Sequence, residues 1–355
     1  MAPQALKPAV PTGHATSWGH EGRHYAAAVN ARRTPRREGE EDGSYLISAL
    51  EAASPGVREA VERACKQWNT ILRDYLRNET ALRLTVGDDT RAVPVRVVSG
   101  VPTVFASVMI PLRGLEWLLL NRPSLVATAE GTRFMAEHVD EVRGWWGEEV
   151  GPSGRDEITG VHQTAEAWLR QLDAAKAVDQ IVGIEEDVLG AYYFRVPEIR
   201  LYWVVIGITA RILGISPEAL TIVVLAHELT HAYTHLGQDI DGLRWDTETF
   251  AATHLDVVEG LAQFYTGVLC KRLEPRMPTA FVAYEKLLEK QGGPYKAHLQ
   301  WGEDEQTRNG EIIRGSMIEC RCQGRTKTEQ FMESVQRYRE GIRGKRPSSR
   351  DRRSV

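Results

Sequence analysis

The sequence predicts a predominantly helical α+β fold that includes a small mixed sheet. Apolar residues recur every three or four positions over several long segments, and two shorter stretches rich in β-branched and aromatic residues alternate as strands do. The chain has 355 residues, 42% hydrophobic and 26% charged, enough for one large or two ordinary domains with a sizeable core. Its formal net charge of -4 is small for that length, so bulk electrostatics give no reason to expect a nucleic-acid or membrane partner.

The two ends read as tails. Residues 1–43 mix Pro, Gly, Arg, His and Glu without an apolar period, and residues 343–355 are rich in Ser and Arg, so both are expected to be disordered. The basic clusters Arg32, Arg33, Arg36, Arg37 and Arg343, Lys345, Arg346, Arg350, Arg352, Arg353 offer an acidic partner a contact, although solvated termini of this kind are commoner. The opening Met-Ala-Pro-Gln lacks a basic region followed by an apolar one, which predicts no signal peptide and a cytoplasmic chain. The most apolar stretches, 201–210 and 215–226, are bounded or broken by Arg211, Pro217 and Glu218 and are too short to span a bilayer, so they are expected in the core. Cys65, Cys270, Cys320 and Cys322 form no CxxC pair and read as reduced, packed thiols.

Residues 44–180 read as a mostly helical region with short strands. Val57, Val61, Cys65, Trp68, Leu72 and Tyr75 trace one face of a helix over 54–76, with Ser54 as its cap and Pro55 in its first turn. Strands are predicted in 82–86 and 92–104. Helical spacing returns at Phe134, His138, Val142 and Trp145, and again at Ala165, Trp168, Leu172 and Ala175; His138 is expected on a helix face and His162 in a loop or at a helix start. A second region, 181–342, opens with two strands, 192–196 and 199–203, around a tight connection at Pro197 and Glu198. A short helix, 205–213, ends near Gly214. Ser216 and Pro217 then cap and open a helix that runs to about Leu236, with Gly237 as its stop.

That last helix contains His227-Glu228-Leu229-Thr230-His231, an HExxH pattern expected by chance on the order of once in a hundred chains of this length. Residues four apart lie on one helix face about 6 Å apart along the axis, so both imidazoles can converge on one zinc ion while Glu228 stands off that line, beside the ion's water. Ile222, Leu225, Leu229, Ala232 and Leu236 form a separate apolar stripe for the core. A hydrolytic zinc site needs a third protein ligand. His235 continues the histidine stripe but lies about 12 Å from His227 along the axis, too far to share one ion, and is expected behind the ligands or at the surface. Glu259 is the stronger candidate: it is a lone glutamate on a helical apolar face formed by Phe250, His254, Val257, Val258, Leu261, Phe264, Tyr265 and Val268.

With its capped HExxH helix behind a strand, a loop carrying Asp239, Asp241 and Asp246, and a second helix in which small residues follow Glu259, the chain resembles the gluzincin branch of the zincin metallopeptidases over roughly residues 180–272. This resemblance implies a zincin-like catalytic domain, with His227, His231 and Glu259 as zinc ligands, Glu228 as general base and 199–203 as the edge strand that pairs with an extended peptide. Gln263 stands where thermolysin-type members have an aspartate. For the donor that stabilises a developing oxyanion, Tyr265, Tyr295 and His298 are available, with His298 preferred and Tyr265 kept beside it. The expected function is zinc-dependent hydrolysis of a peptide or protein substrate, with Glu228 moving the protons. The alternatives are a non-catalytic zinc-stabilised module that binds peptide or nucleic acid, and an amidase acting on a small molecule.

Overall fold

The computed structural model describes residues 40–41, 44–84, 93–138, 141, 152–182, 188–301 and 306–344. The expected tails therefore lie mostly outside the described residues, including Arg32, Arg33, Arg36, Arg37 and the basic residues from Lys345 onward. The described part is mostly helical. Its helices are α1 (Ser44–Ala53), α2 (Val57–Thr80), α3 (Thr103–Met109), α4 (Glu116–Leu120), α5 (Arg122–Glu137), α6 (Pro152–Ala174), α7 (Ala177–Val182) and α8 (Trp203–Leu213). They continue with α9 (Pro217–Leu236), α10 (Thr247–Ala252), α11 (Leu255–Leu273), α12 (Pro278–Lys290), α13 (Gln306–Gln323) and α14 (Thr328–Gly344). Among the described residues, no helix is long and apolar enough to cross a membrane.

The largest of three small sheets among the described residues has three strands, β1 (Val95–Val98), β2 (Gly190–Tyr193) and β3 (Glu198–Tyr202), in the order β1-β3-β2. β1 runs parallel to β3, with Val95 opposite Ile199, whereas β2 runs antiparallel, with Gly190 opposite Leu201 and Tyr193 opposite Glu198. The segment that the resemblance made an edge strand is thus the central one, because the chain before residue 100 supplies a third strand on its far side. A shared sheet and one continuous core also join the two regions expected on either side of residue 180.

α9 is the axis of this core. Ser216 accepts a hydrogen bond from the Ala219 amide and Pro217 opens the first turn. Every residue from Ala219 to His235 is buried, so the helix is enclosed all round, by α2, α8, α11, α12 and the β2–β3 pair. α2 lies along it and buries Val61, Ala64, Trp68, Leu72 and Leu76, with each large side chain contributing about 1.5–3 kcal/mol of transfer free energy. α8 ends at Gly214 with φ 61, a left-handed cap that glycine adopts without strain.

Several expected boundaries differ. Gly56, with φ 82, precedes α2 in place of Ser54, whose hydroxyl instead accepts from Arg211. Helix α3 begins at Thr103, inside the stretch expected to be extended, because its residues pack as about two helical turns with Phe105, Ala106 and Met109 buried. α5 stops at Glu137; Val142 and Trp145 lie outside the described residues. His162 sits inside α6, its Nδ1 at 3.0 Å from the Ala129 carbonyl oxygen of α5. The apolar face expected to run unbroken from Phe250 to Val268 is two helices, since His254 caps α11 and Thr253 is extended. Cys65, Cys270 and Cys320 are buried, but Cys322 is exposed; all four are free.

Candidate metal centre

One turn of α9 separates His227 from His231, and their rings meet edge to face at 4.7 Å. The two Nε2 atoms stand 3.1 Å apart. α11 crosses α9 and places Glu259 against both: its Oε2 is 3.1 Å from Nε2 of His227 and 3.3 Å from Nε2 of His231. These three groups could hold a metal ion, each offering one ligand atom. Ligands arranged tetrahedrally around an ion at ~2.0–2.1 Å stand ~3.3–3.4 Å apart, so the three observed separations are close to one face of such a tetrahedron.

The centre is enclosed, with His227, His231 and Glu259 only 6%, 4% and 4% exposed. Burial by itself would raise the Glu259 carboxyl; the His231 charge and hydrogen bonds from both imidazoles outweigh it and hold the group well below the usual carboxylate range. One carboxylate among two converging imidazole nitrogens is a donor set suited to a cation, which would take the place of the protons the nitrogens share with Glu259.

Glu228 is 2% exposed and lines a cavity of about 50 Å³ together with His227. Strand β2 presses on it. A Cβ built on Gly190 would lie 2.8 Å from Val224 Cγ1, 3.0 Å from Glu228 Cγ and 3.1 Å from its Oε1. Only a residue without a side chain lets the strand approach this closely. Gly260 does the same on α11, where a Cβ would fall 2.5 Å from the Trp301 ring.

The remaining histidines of the stripe and the turn are placed differently. His235 is buried, not at the surface, with Nδ1 at 2.9 Å from the Tyr192 hydroxyl, Nε2 at 3.1 Å from the Thr247 hydroxyl, and its ring stacked on Phe250. Burial and the nearby Arg321 charge lower its pKa to about 4. His298 sits in the short 3-10 segment Gly293–Gln300. Its Nδ1 donates to the Tyr295 carbonyl oxygen, Nε2 meets the Tyr284 hydroxyl at 3.1 Å, and burial lowers its pKa to about 4. With both nitrogens engaged, His298 anchors that segment to α12 and does not line the cavity. Tyr265 is six residues beyond Glu259, roughly 240° around the helix, and turns away from the centre. Comparison with protein-family models, curated proteins and solved structures finds no match.

Tyr295 is the third of the downstream candidates, and it does reach the site: its ring centroid is 5.9 Å from that of His227, and it lines the cavity. Gln263, one turn after Glu259, lines it as well and donates through Nε2 to Gln291 at 2.9 Å. The remaining walls include Ile181 of α7, Thr209 of α8, Val223 of α9 and Leu287 of α12. Sequence spacing carries no sign of these contributions, because they come from separate elements brought together by packing. Asp256 and Glu248 stay outside: the first shares the α11 cap with His254 and Thr328, and the second is ion-paired with Arg195 at 2.9 Å.

Proposed function

We propose that this chain is a zinc-dependent metallopeptidase of the HExxH type, in the gluzincin manner, with His227, His231 and Glu259 as ligands. The observation that carries the reading is the convergence of two Nε2 atoms and one carboxylate oxygen within 3.3 Å, beside a glutamate that shares a cavity with His227. Two imidazoles and one carboxylate at tetrahedral spacing suit zinc, and three protein ligands leave a position open. When bound, zinc supplies Lewis acidity that acidifies water and polarises a carbonyl.

The protein's own groups do the rest. Glu228, held in place by β2, takes a proton from the attacking water on its carboxylate and returns it to the leaving amine. The Tyr295 hydroxyl is the donor closest to hand for the developing oxyanion, replacing His298 and Tyr265 in that role. β2 has no ladder partner on its outer edge among the described residues and lies over Glu228, so an extended peptide pairs there and not along β3. Enclosure of the centre strengthens each of these electrostatic contacts by removing water.

Metal analysis of the purified chain, joined to a peptide-library cleavage assay with and without chelator, tests the proposal. Glu228→Gln should keep its metal while turnover falls by ~10²–10⁴-fold, the range for loss of a general base. Retained metal with an unchanged cleavage rate would show that Glu228 is not the base, and retained metal in a native chain that cleaves nothing would leave it as a metal-stabilised binding module.

A further inference from the structure

We infer that Gln263 binds the substrate's main chain: its side-chain oxygen accepts a hydrogen bond from a peptide N–H next to the scissile bond, and Gln291 orients it for that task. This rests on the hydrolytic reading above. Gln263 stands one turn after Glu259 on α11, so the two side chains leave the same face of the helix. Its Nε2 donates to Gln291 Oε1 at 2.9 Å. The backbone of the same residue is pinned as well, since the Tyr284 hydroxyl donates to the Gln263 carbonyl oxygen at 3.3 Å and meets His298 Nε2 at 3.1 Å.

The other end of that amide is left over. Gln263 is 2% exposed, and its Oε1 is buried with no hydrogen-bond partner among the described residues. An unpaired buried amide oxygen is unfavourable, so an atom of this kind in a native fold asks for a donor from outside the chain's own packing. Gln263 and Gln291 both line the cavity that Glu228 and His227 border, and a donor standing there is the one within reach.

The kind of donor follows from the neighbouring groups. An extended peptide offers one N–H and one C=O per residue. Its reacting carbonyl belongs with the metal and the Tyr295 hydroxyl, and the proton of the attacking water with Glu228, which leaves a neighbouring N–H for a neutral acceptor. An amide supplies that acceptor without setting a third carboxylate beside Glu228 and Glu259, where it would repel both. Gln291 fixes the orientation: while its oxygen accepts from Nε2, turning the Gln263 amide over would set two oxygens against each other, so Oε1 is kept for the ligand.

The test uses the full-length, zinc-loaded chain and end-capped peptides in which the amide on either side of the scissile one is replaced in turn by an ester, which keeps the shape and removes the donor. At one of the two positions the ester should lower kcat/KM by at least ~10-fold, because it leaves a buried acceptor unpaired. In Gln263→Leu, close in volume but without the acceptor, that penalty should vanish. Should this variant fail to fold, Gln291→Leu frees the amide to turn and should lose the penalty, whereas Gln291→Glu, which only accepts, should keep it. Calorimetric binding of the same amide and ester peptides to zinc-loaded Glu228→Gln, with and without Gln263→Leu, should repeat the pattern. No ester penalty at either position, or one that is equal in the native chain and in whichever leucine variant folds, overturns the inference and leaves hydrolysis standing. If the native chain cleaves nothing while Glu228→Gln binds amide over ester only with Gln263 present, the role of Gln263 stands and hydrolysis fails; if it binds no peptide, both fail.

Discussion

Three histidines stand four residues apart on one face of α9, all buried, and the fold treats them in two ways. His227 and His231 turn their Nε2 atoms toward each other and toward Glu259, three potential ligand atoms in one small volume. His235, one turn further, has each nitrogen matched to a hydroxyl, from Tyr192 and Thr247, and a ring stacked on Phe250. The same residue type at the same spacing is a ligand candidate in one place and a packing element in the other. What separates them is the neighbour. α11 delivers a carboxylate to the first pair, while β2 and α10 deliver neutral hydroxyls to the third.

The largest effect should come from breaking the first arrangement. His227→Ala or His231→Ala should take the metal content from about one ion per chain to near zero and abolish hydrolysis, because two ligands do not hold a structural or catalytic zinc. His235→Ala should leave metal content unchanged while lowering stability in urea by about 2–4 kcal/mol, since it opens a cavity and strands the buried Tyr192 hydroxyl and the half-buried Thr247 hydroxyl. Loss of metal from a folded His235→Ala variant would erase the distinction.

A smaller effect is expected at the strand that seats Glu228, the proposed general base. Gly190→Ala introduces a Cβ at 2.8 Å from Val224 and 3.0 Å from Glu228 Cγ, so the base or the strand has to shift. Turnover should drop by ~10–100-fold with metal content intact, the scale of a displacement near 1 Å in a reacting group. Steady-state kinetics beside elemental analysis would settle it, and wild-type turnover would mean that β2 does not hold Glu228.

The smallest effect is a pH dependence that the satisfied histidines impose. His235 and His298 titrate near 6.5 when unfolded and are lowered to about 4 in the fold by burial. The unfolded chain therefore binds protons first as pH falls, so the native state keeps its full stability above about pH 6.5 and loses it progressively toward pH 4. Each histidine should cost about 2 kcal/mol between pH 7 and pH 5. Denaturation curves at the two pH values, taken with chelator to remove metal linkage, should show a smaller difference in His298→Asn. An equal difference in both proteins would mean that His298 is not buried as a neutral ring.

Much of the centre was legible in the residues themselves. Ser216 and Pro217 announced the start of α9, the HExxH spacing put two imidazoles on one face, and Glu259 stood out as a charge on an apolar helical stripe. The strand pair around Pro197 was legible too, but not its place in the sheet: its partner β1 is more than 90 residues away, and alternation says nothing about which neighbour lies on which side. Reading Phe250 to Val268 as one apolar face failed for a local reason, since the period does not reveal that His254 leaves the helical conformation to cap the next segment.

Local periodicity and capping by themselves determined where α8, α9 and most of α2 run, which residues share a face there, and that a candidate ligand pair lies on α9, because these follow from geometry within a few residues of chain. Tertiary packing alone decided that α9 is enclosed on every side, that Tyr295 and not His298 or Tyr265 faces His227, and that Gly190 and Gln263 border the same cavity. Those outcomes depend on contacts between elements tens of residues apart, whose energies are set by shape and partner and leave no periodic trace in the chain.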